Sequence, residues 1–294
     1  MPGSPKTIPR LNPMMACDTA FRIVARRALA DLTANHEATC KADASALHQM
    51  RIALTRLRTA ISFFSPMVAD LERTQIRTEL KWLHGQLGVV RDLDVAIERL
   101  EAADGQRPQT SPDHRSLNAK RVDSHRRLAR ALRSIRYRRM SKNTSDWIEN
   151  GPWSIKKGAQ AARKRASPLA AYCMDKLSRW QGKLLKKSRK LLDMSAKKRH
   201  RLRLKNKKLS YSIEFLADLS SETGFSGQPA ALKQLRKAQK SLGQLNDDAE
   251  GRALAAALRR DGVRAPLLFL GRKREQRLLR TAVAAYRKLA ALQP

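Results

Sequence analysis

The sequence contains few aromatic residues and few cysteines, and each shortage narrows the choice of fold and function. Phe, Trp and Tyr make up 5% of the 294 residues, and β-branched residues never gather into alternating runs, so a β-sheet protein is disfavoured. The three cysteines include no CxxC pair, which disfavours a disulfide framework or a structural zinc site. No stretch approaches the run of about 18 apolar residues that a membrane-spanning helix needs.

Acidic residues are scarce relative to basic ones. The chain has 61 Lys and Arg against 26 Asp and Glu, which gives a net charge of +35 and a pI of about 11.2. So many like charges on a compact body favour a polyanionic partner. Nucleic acid, an anionic membrane surface and inorganic polyphosphate are the three candidates.

The N-terminus lacks the features of a signal peptide. Its first twenty residues contain four prolines and no continuous apolar run. We therefore expect a cytoplasmic protein, with an organellar transit segment as the alternative. Residues 1–17 are expected to be disordered or loosely attached.

Ala, Leu, Arg and Lys dominate every long segment, which is the composition of an all-α protein. Prolines and glycines separate the predicted helices. These are expected at 18–38, 44–64, 68–88, 90–103, 114–140, 169–192, 196–219, 229–245, 246–261 and 266–291. The poorly periodic segment 141–167 predicts a connector between a first half at about 18–140 and a second half at about 168–292.

Two motifs occur twice, in the same order. HQMR at 48–51 is answered by HRLR at 200–203, and LGVVRD at 87–92 is answered by LGQLND at 242–247. His48 precedes Asp92 by 44 residues, and His200 precedes Asp247 by 47. The shared order and the similar distances predict a duplicated helical unit.

The first motif of each pair places a polar ladder on one helix face. Successive residues of a helix are about 100° apart, so the ladder residues fall within a sector of about 80°. They are His48, Arg51, Thr55 and Arg58 in the first copy, and His200, Arg203, Lys207 and Ser210 in the second. Because Arg and Lys bind phosphate oxygens, the ladder predicts phosphate binding.

The second motif of each pair contains a glycine followed by acidic residues. Gly88 and Gly243 are expected to end one helix, and Asp92 and Asp247 to cap the next or to orient a cation. A catalytic or metal role for these acids, together with Asp94 and Asp248, is the alternative. No glycine-rich phosphate loop, ligand cluster or nucleophile with a base accompanies them, so we predict no catalytic residue, no metal and no cofactor.

The segments HQMRIALTRLRTAISFF, LKWLHGQLGVVRDLDV, HRLRLKNKKLSYSIEFL and LGQLNDDA resemble the CHAD family of histidine-containing α-helical domains, over roughly residues 18–292. The resemblance implies two four-helix bundles related by a pseudo-two-fold duplication, with a basic central groove or channel. It also implies inorganic polyphosphate as the ligand. Several members associate with polyphosphate granules, so granule targeting and granule-associated protein partners are open for this chain.

The resemblance also implies the polyphosphate-binding residues. These are His48, Arg51, Arg56, Arg58, Lys81 and Arg91 in the first half, and His200, Arg203, Lys207 and Lys208 in the second. The second half departs from the family pattern at Lys205, Asn206 and Ser210, and Asn246 stands where the first half has Arg91.

These observations predict a non-enzymatic polyphosphate-binding protein. The ExExK motif of the triphosphate hydrolases that accompany some CHAD domains is absent. One alternative is a basic helical protein that binds nucleic acid without sequence preference. Another is a phosphate-transfer or hydrolytic enzyme, which phosphate release with added magnesium or manganese would reveal.

Overall fold

In the computed structural model, the prediction of an all-α protein is confirmed. The structure describes residues 10–104, 112–155, 158–216, 228–260 and 269–292, which form helices and no β-strand. The helices are α1 Cys17–Ala34, α2 His36–Cys40, α3 Ala44–Phe63, α4 Glu72–Asp104, α5 Pro112–Arg133, α6 Ile135–Asn150, α7 Ala159–Ala166, α8 Leu169–Ser188, α9 Ala196–Phe215, α10 Gln228–Arg260 and α11 Arg272–Ala290, with 3-10 turns at Pro152–Ser154 and Leu191–Asp193.

The helix ends predicted at Gly88 and Gly243 are wrong. α4 and α10 each continue through their glycine as one helix of 33 residues. An internal glycine costs a helix only about 1 kcal/mol relative to alanine. In α4 the buried leucines Leu80, Leu83 and Leu87 form one apolar face up to the glycine, and their burial outweighs that cost.

The chain forms two compact units, and the first has an aromatic core. This unit comprises Met1–Arg91, His125–Lys176 and Phe215–Phe225. The ring of Phe21 in α1 lies 5.8 Å from that of Phe64 and 5.2 Å from that of Trp153, between centroids. Because Phe64 directly follows α3, these contacts anchor the end of the helix that carries the first ladder.

The predicted connector contributes to this core. Its first part continues α6, and Trp147 and Trp153 are both buried. Asp70 accepts hydrogen bonds from the indole of Trp147 at 3.0 Å and from the backbone N–H of Trp153 at 3.1 Å. It also caps α4 by accepting from the N–H of Arg73 at 2.7 Å, so one carboxylate joins the start of α4 to the end of α6.

The second unit comprises Asp92–Ser124, Leu177–Glu214 and Ser226–Pro294. α10 packs along α11, and Asn206 of α9 is completely buried beside both. Its amide nitrogen donates to the carbonyl of Leu235 at 2.9 Å, and its amide oxygen accepts from the hydroxyl of Tyr286 at 3.1 Å. Asn206, which departs from the family pattern, therefore links α9 to α10 and α11 in a three-helix junction.

Part of the predicted loose N-terminus is described. Residues 1–9 lie outside the described residues, whereas Pro13 and Met15 accept hydrogen bonds from Ala170 and Leu169 at 3.0 and 2.9 Å. The three cysteines are buried free thiols. No described helix combines the length and the hydropathy that crossing a lipid bilayer requires.

Candidate anion-binding site

The first ladder lies on the side of α3 opposite its core face. Asp43 caps this helix by accepting from the N–H groups of Ser45 and Ala46 at 2.8 and 2.9 Å. The core face is fully buried through Leu47, Met50, Leu54 and Leu57, whereas the ladder residues are exposed or half-buried. The predicted amphipathic arrangement is confirmed.

Arg51 joins the ladder to α4. Its Nη1 donates to the carbonyls of Leu87 and Gly88 at 3.0 and 3.1 Å. A Cβ added at Gly88 would lie 3.8 Å from the same nitrogen. The arginine therefore reaches the backbone of α4 at Leu87 and Gly88.

Two arginines, Arg58 of α3 and Arg77 of α4, are near enough for one charge to act on the other. Burial, and then the neighbouring charge of Arg77, lower the pKa of the Arg58 guanidinium. No carboxylate in the described part of the chain forms an ion pair with either arginine. An anion placed between them would remove the repulsion and replace lost hydration.

α3 and α4 run antiparallel where they pack, and this order places the other predicted residues of the first half, His48, Lys81 and Arg91. Arg51 donates to the carbonyl of Gly88, and Arg58, further along α3, is affected by the charge of Arg77, which comes earlier in α4. His48 is therefore expected level with Arg91, about one turn from the Arg51–Gly88 contact. Arg77, Lys81, Gly88 and Arg91 share a sector of about 80° on α4. Lys81 is exposed and Arg91 is half-buried, and both therefore belong to the α4 face that borders the ladder.

The second ladder, on α9, packs against α10 in a similar way. Nδ1 of His200 and the amide oxygen of Asn246 form a hydrogen bond. Since an amide oxygen only accepts, Nδ1 carries the proton, and Nε2 is the ring nitrogen that remains for a ligand. It donates to a phosphate oxygen only when the imidazole is protonated.

Arg203 lies one turn further along α9, against Gly243. A Cβ added at the glycine would be 3.9 Å from Nε of Arg203, and this Nε is buried without a hydrogen-bond partner among the residues described. Arg51 and Arg203 thus both lie against a glycine inside the following helix. The sequence repeat corresponds to a repeated side-chain contact in each unit.

Three predicted residues make contacts with neighbouring aromatic or acidic side chains. Nη1 of Arg56 lies 4.0 Å from a carboxylate oxygen of Asp31 in α1. Nζ of Lys208 lies 5.0 Å from the ring centre of Trp180 in α8, and Nζ of Lys207 lies 5.6 Å from that of Tyr211. Arg56 and Lys208 are each about 80° away from the histidine of their ladder and are directed towards another helix.

The acids considered for catalysis have structural partners. Asp94 is buried and accepts from Nε of Arg121 at 2.8 Å. Asp248 accepts from the N–H of Leu270 at 2.6 Å and from Nε of Arg252 at 2.9 Å. Across the residues that the structure describes, no group of three or more His, Cys, Asp and Glu side chains could hold a metal ion.

Sequence reasoning missed two residues of this site. Arg77 could have been found, because it lies four residues before Lys81 and therefore on the same face of α4. Asn246 was noted only as a departure from Arg91, although it is the hydrogen-bond partner of His200. Its role depends on the packing of α9 against α10, which no local pattern reveals.

The CHAD domain family matches residues 23–256, well over half of the chain. The chain is similar in fold to the crystal structure of the CHAD domain from the plant Ricinus communis, with a TM-score of 0.74, 22% identity, and coverage of 98% of this chain and 96% of that one. PptA from Streptomyces chartreusis has a TM-score of 0.59 and 14% identity, with coverage of 95% and 96%. No curated protein sequence matches the chain significantly. The chain belongs to the CHAD domain family.

Proposed function

We propose that the protein binds inorganic polyphosphate without catalysing its turnover, through the cationic ladders of α3 and α9 and the helix faces beside them. The CHAD family is associated with polyphosphate binding in general. For this chain, the proposal rests on the recurrence of one arrangement, in which a ladder arginine lies against a glycine within the next helix.

The chemistry of the ladders suits a linear phosphate polymer. Guanidinium groups contact phosphate oxygens through two parallel N–H bonds, and lysines add mobile charges. Arg58 and Arg77 repel each other and have no acidic ion-pair partner in the described residues, so a bound phosphate relieves an unfavourable interaction. Each phosphate contact also releases condensed counterions, which makes binding strongly dependent on salt.

The absence of catalysis is part of the proposal. Asp94 accepts a hydrogen bond from Arg121, and Asp248 accepts from Arg252 and from the backbone N–H of Leu270. In this proposal both acids stabilise the helices and do not activate water. Binding near polyphosphate granules in the cytoplasm is the cellular setting we propose. The wider prediction of two four-helix bundles related by a pseudo-two-fold around a basic central groove stays a prediction.

A competition titration tests the ligand. Labelled long-chain polyphosphate is bound near physiological salt, and unlabelled polyphosphate or duplex DNA of equal total charge is added. We expect polyphosphate to compete far better, because the ladders present cations at fixed helical spacing. Equal competition would show a nonspecific polycation, and the nucleic-acid alternative would replace this proposal.

The double variant Arg58→Gln with Arg77→Gln tests the site. Removing two repelling cations should preserve or raise the melting temperature, while polyphosphate affinity falls about tenfold or more and the log–log salt slope decreases by about two. Arg138→Gln with Arg139→Gln is the charge-matched control, since both are exposed on α6 of the same unit. Equal losses in the two double variants would contradict a defined site.

A further inference from the structure

A second cationic surface lies on α10 and α11, outside the ladders. It is a groove of about 570 Å³ lined by four cations, an amide, a hydroxyl and one small apolar residue. They are Lys237, Lys273, Arg277, Arg280, Gln276, Thr281 and Ala284. None of the ten residues predicted to bind polyphosphate lines it.

The groove lies on the face of α11 that points away from α9. Glu275 and Tyr286 face α9, because they contact Arg199 at 2.9 Å and Asn206 at 3.1 Å. Lys273 and Arg277 are about 160° from Glu275 around the helix axis. The ladder on α9 and the groove are therefore on opposite sides of α11.

The position of Lys237 on α10 leads to the same conclusion. Asn246, which contacts His200 of the ladder, follows Lys237 by nine residues. Nine residues correspond to about 900° of rotation, which places the two side chains on opposite faces of α10. An anion in the groove thus cannot also contact the His200–Asn246 pair.

The four cations are not neutralised by the protein. No carboxylate of the described segments pairs with Lys237, Lys273, Arg277 or Arg280, and Glu275 pairs with Arg199 instead. Lys273 and Arg280 are about 10 Å apart along the helix axis, at 1.5 Å per residue. A row of this length fits an extended anion with several charges better than a single phosphate ion.

The lining also indicates the class of anion. It contains no aromatic ring, so it offers no platform on which nucleic-acid bases could stack. Arg277 and Arg280 supply forks for phosphate oxygens, and Gln276 and Thr281 supply further polar groups beside them. A linear oligophosphate segment satisfies these groups without requiring a base or an apolar pocket.

We propose that this α10–α11 groove is a second binding site for a linear oligophosphate segment, which lets one molecule hold two polyphosphate segments on opposite faces of its second unit. The identity of the ligand rests on the proposed function. Two sites on opposite faces allow a molecule to bridge polyphosphate chains, whereas a single continuous site does not.

The test compares two variants of the full chain that each replace two exposed cations of α11 by acids. Arg277→Glu with Arg280→Glu reverses the groove, and Arg274→Glu with Lys288→Glu makes the same charge change outside its lining. Calorimetric titration with a short linear polyphosphate gives the number of equivalents bound. Light scattering with long-chain polyphosphate measures bridging, and thermal melting verifies that each variant is folded.

We expect the groove variant to bind one equivalent fewer than the native chain and to bridge polyphosphate chains less, while the control keeps the stoichiometry and the bridging of the native chain. Unchanged stoichiometry in the groove variant, or the same loss in the control, would overturn the second site. Duplex DNA that occupies the groove as well as polyphosphate would overturn the ligand class. A native chain that shows no preference for polyphosphate would instead refute the proposed function, so the two failures are distinguishable.

Discussion

The buried junction of Asn206, Leu235 and Tyr286 makes a prediction about stability that can be worked out from its contacts. Changing Asn206→Leu keeps the branched shape and the number of side-chain heavy atoms but removes the amide hydrogen bonds to Leu235 and Tyr286 and the longer one, 3.5 Å, to Gln239. The carbonyl of Leu235 lies within α10 and keeps its helical N–H partner, whereas the Tyr286 hydroxyl loses its acceptor. Burial raises the pKa of Tyr286, so this hydroxyl stays protonated and still needs an acceptor at neutral pH.

The magnitude follows mainly from the losses at Tyr286 and Leu235, since the bond to Gln239 is long. A buried hydroxyl without a partner costs about 1–3 kcal/mol, and the lost bond to Leu235 adds about 1 kcal/mol. The free energy of unfolding should thus fall by about 2–4 kcal/mol in Asn206→Leu. Adding Tyr286→Phe removes the unpaired hydroxyl, and the double variant should recover about 1–3 kcal/mol of that loss.

Urea denaturation is the appropriate assay, because urea is uncharged and does not screen the many cations as guanidinium would. Circular dichroism and tryptophan fluorescence follow the transition in the native chain, both single variants and the double variant. The cycle isolates the coupling between Asn206 and Tyr286. Additive losses, with no recovery in the double variant, would refute the assignment of this residue as a three-helix junction.

Three further predictions concern two glycines and the cysteine thiols. Gly88→Ala should leave the melting temperature unchanged or raise it, with a gain of up to about 1 kcal/mol, because the added Cβ makes only an ordinary contact 3.8 Å from Arg51. Gly151→Ala should lower the free energy of unfolding by about 1–3 kcal/mol, because its Cβ would lie 2.5 Å from the carbonyl oxygen of Trp147. Equal melting curves for the two glycine variants would be inconsistent with this packing. Burial raises the pKa of all three cysteine thiols, so iodoacetamide near pH 8 should modify the folded protein slowly and all three thiols only in urea, as mass spectrometry would show. Rapid modification of the native chain would contradict their burial.

Helix type and ladder composition were predictable from local patterns. The 3.6-residue period of apolar side chains separates Leu54 and Leu57 from Arg51 and Arg58 without any knowledge of the partner helices. The repeat also indicated that the HxxR and LG segments are parts of one duplicated helical unit. The helix ends at Gly88 and Gly243 were predicted wrongly, because local propensity counts a glycine as a breaker and does not include the burial of the leucines around it.

The sequence by itself determined the net charge, the all-α class and the two polar ladders, since each depends on composition or on neighbours within two turns of one helix. Only the tertiary structure decided which cations act on one another, as the charge of Arg77 does on the pKa of Arg58, and which polar residue bonds to a ladder residue, as Asn246 does to His200. It also placed Lys237 beside the cations of α11 in one groove. These contacts join residues far apart in the chain, and they depend on helix packing, which no single segment encodes.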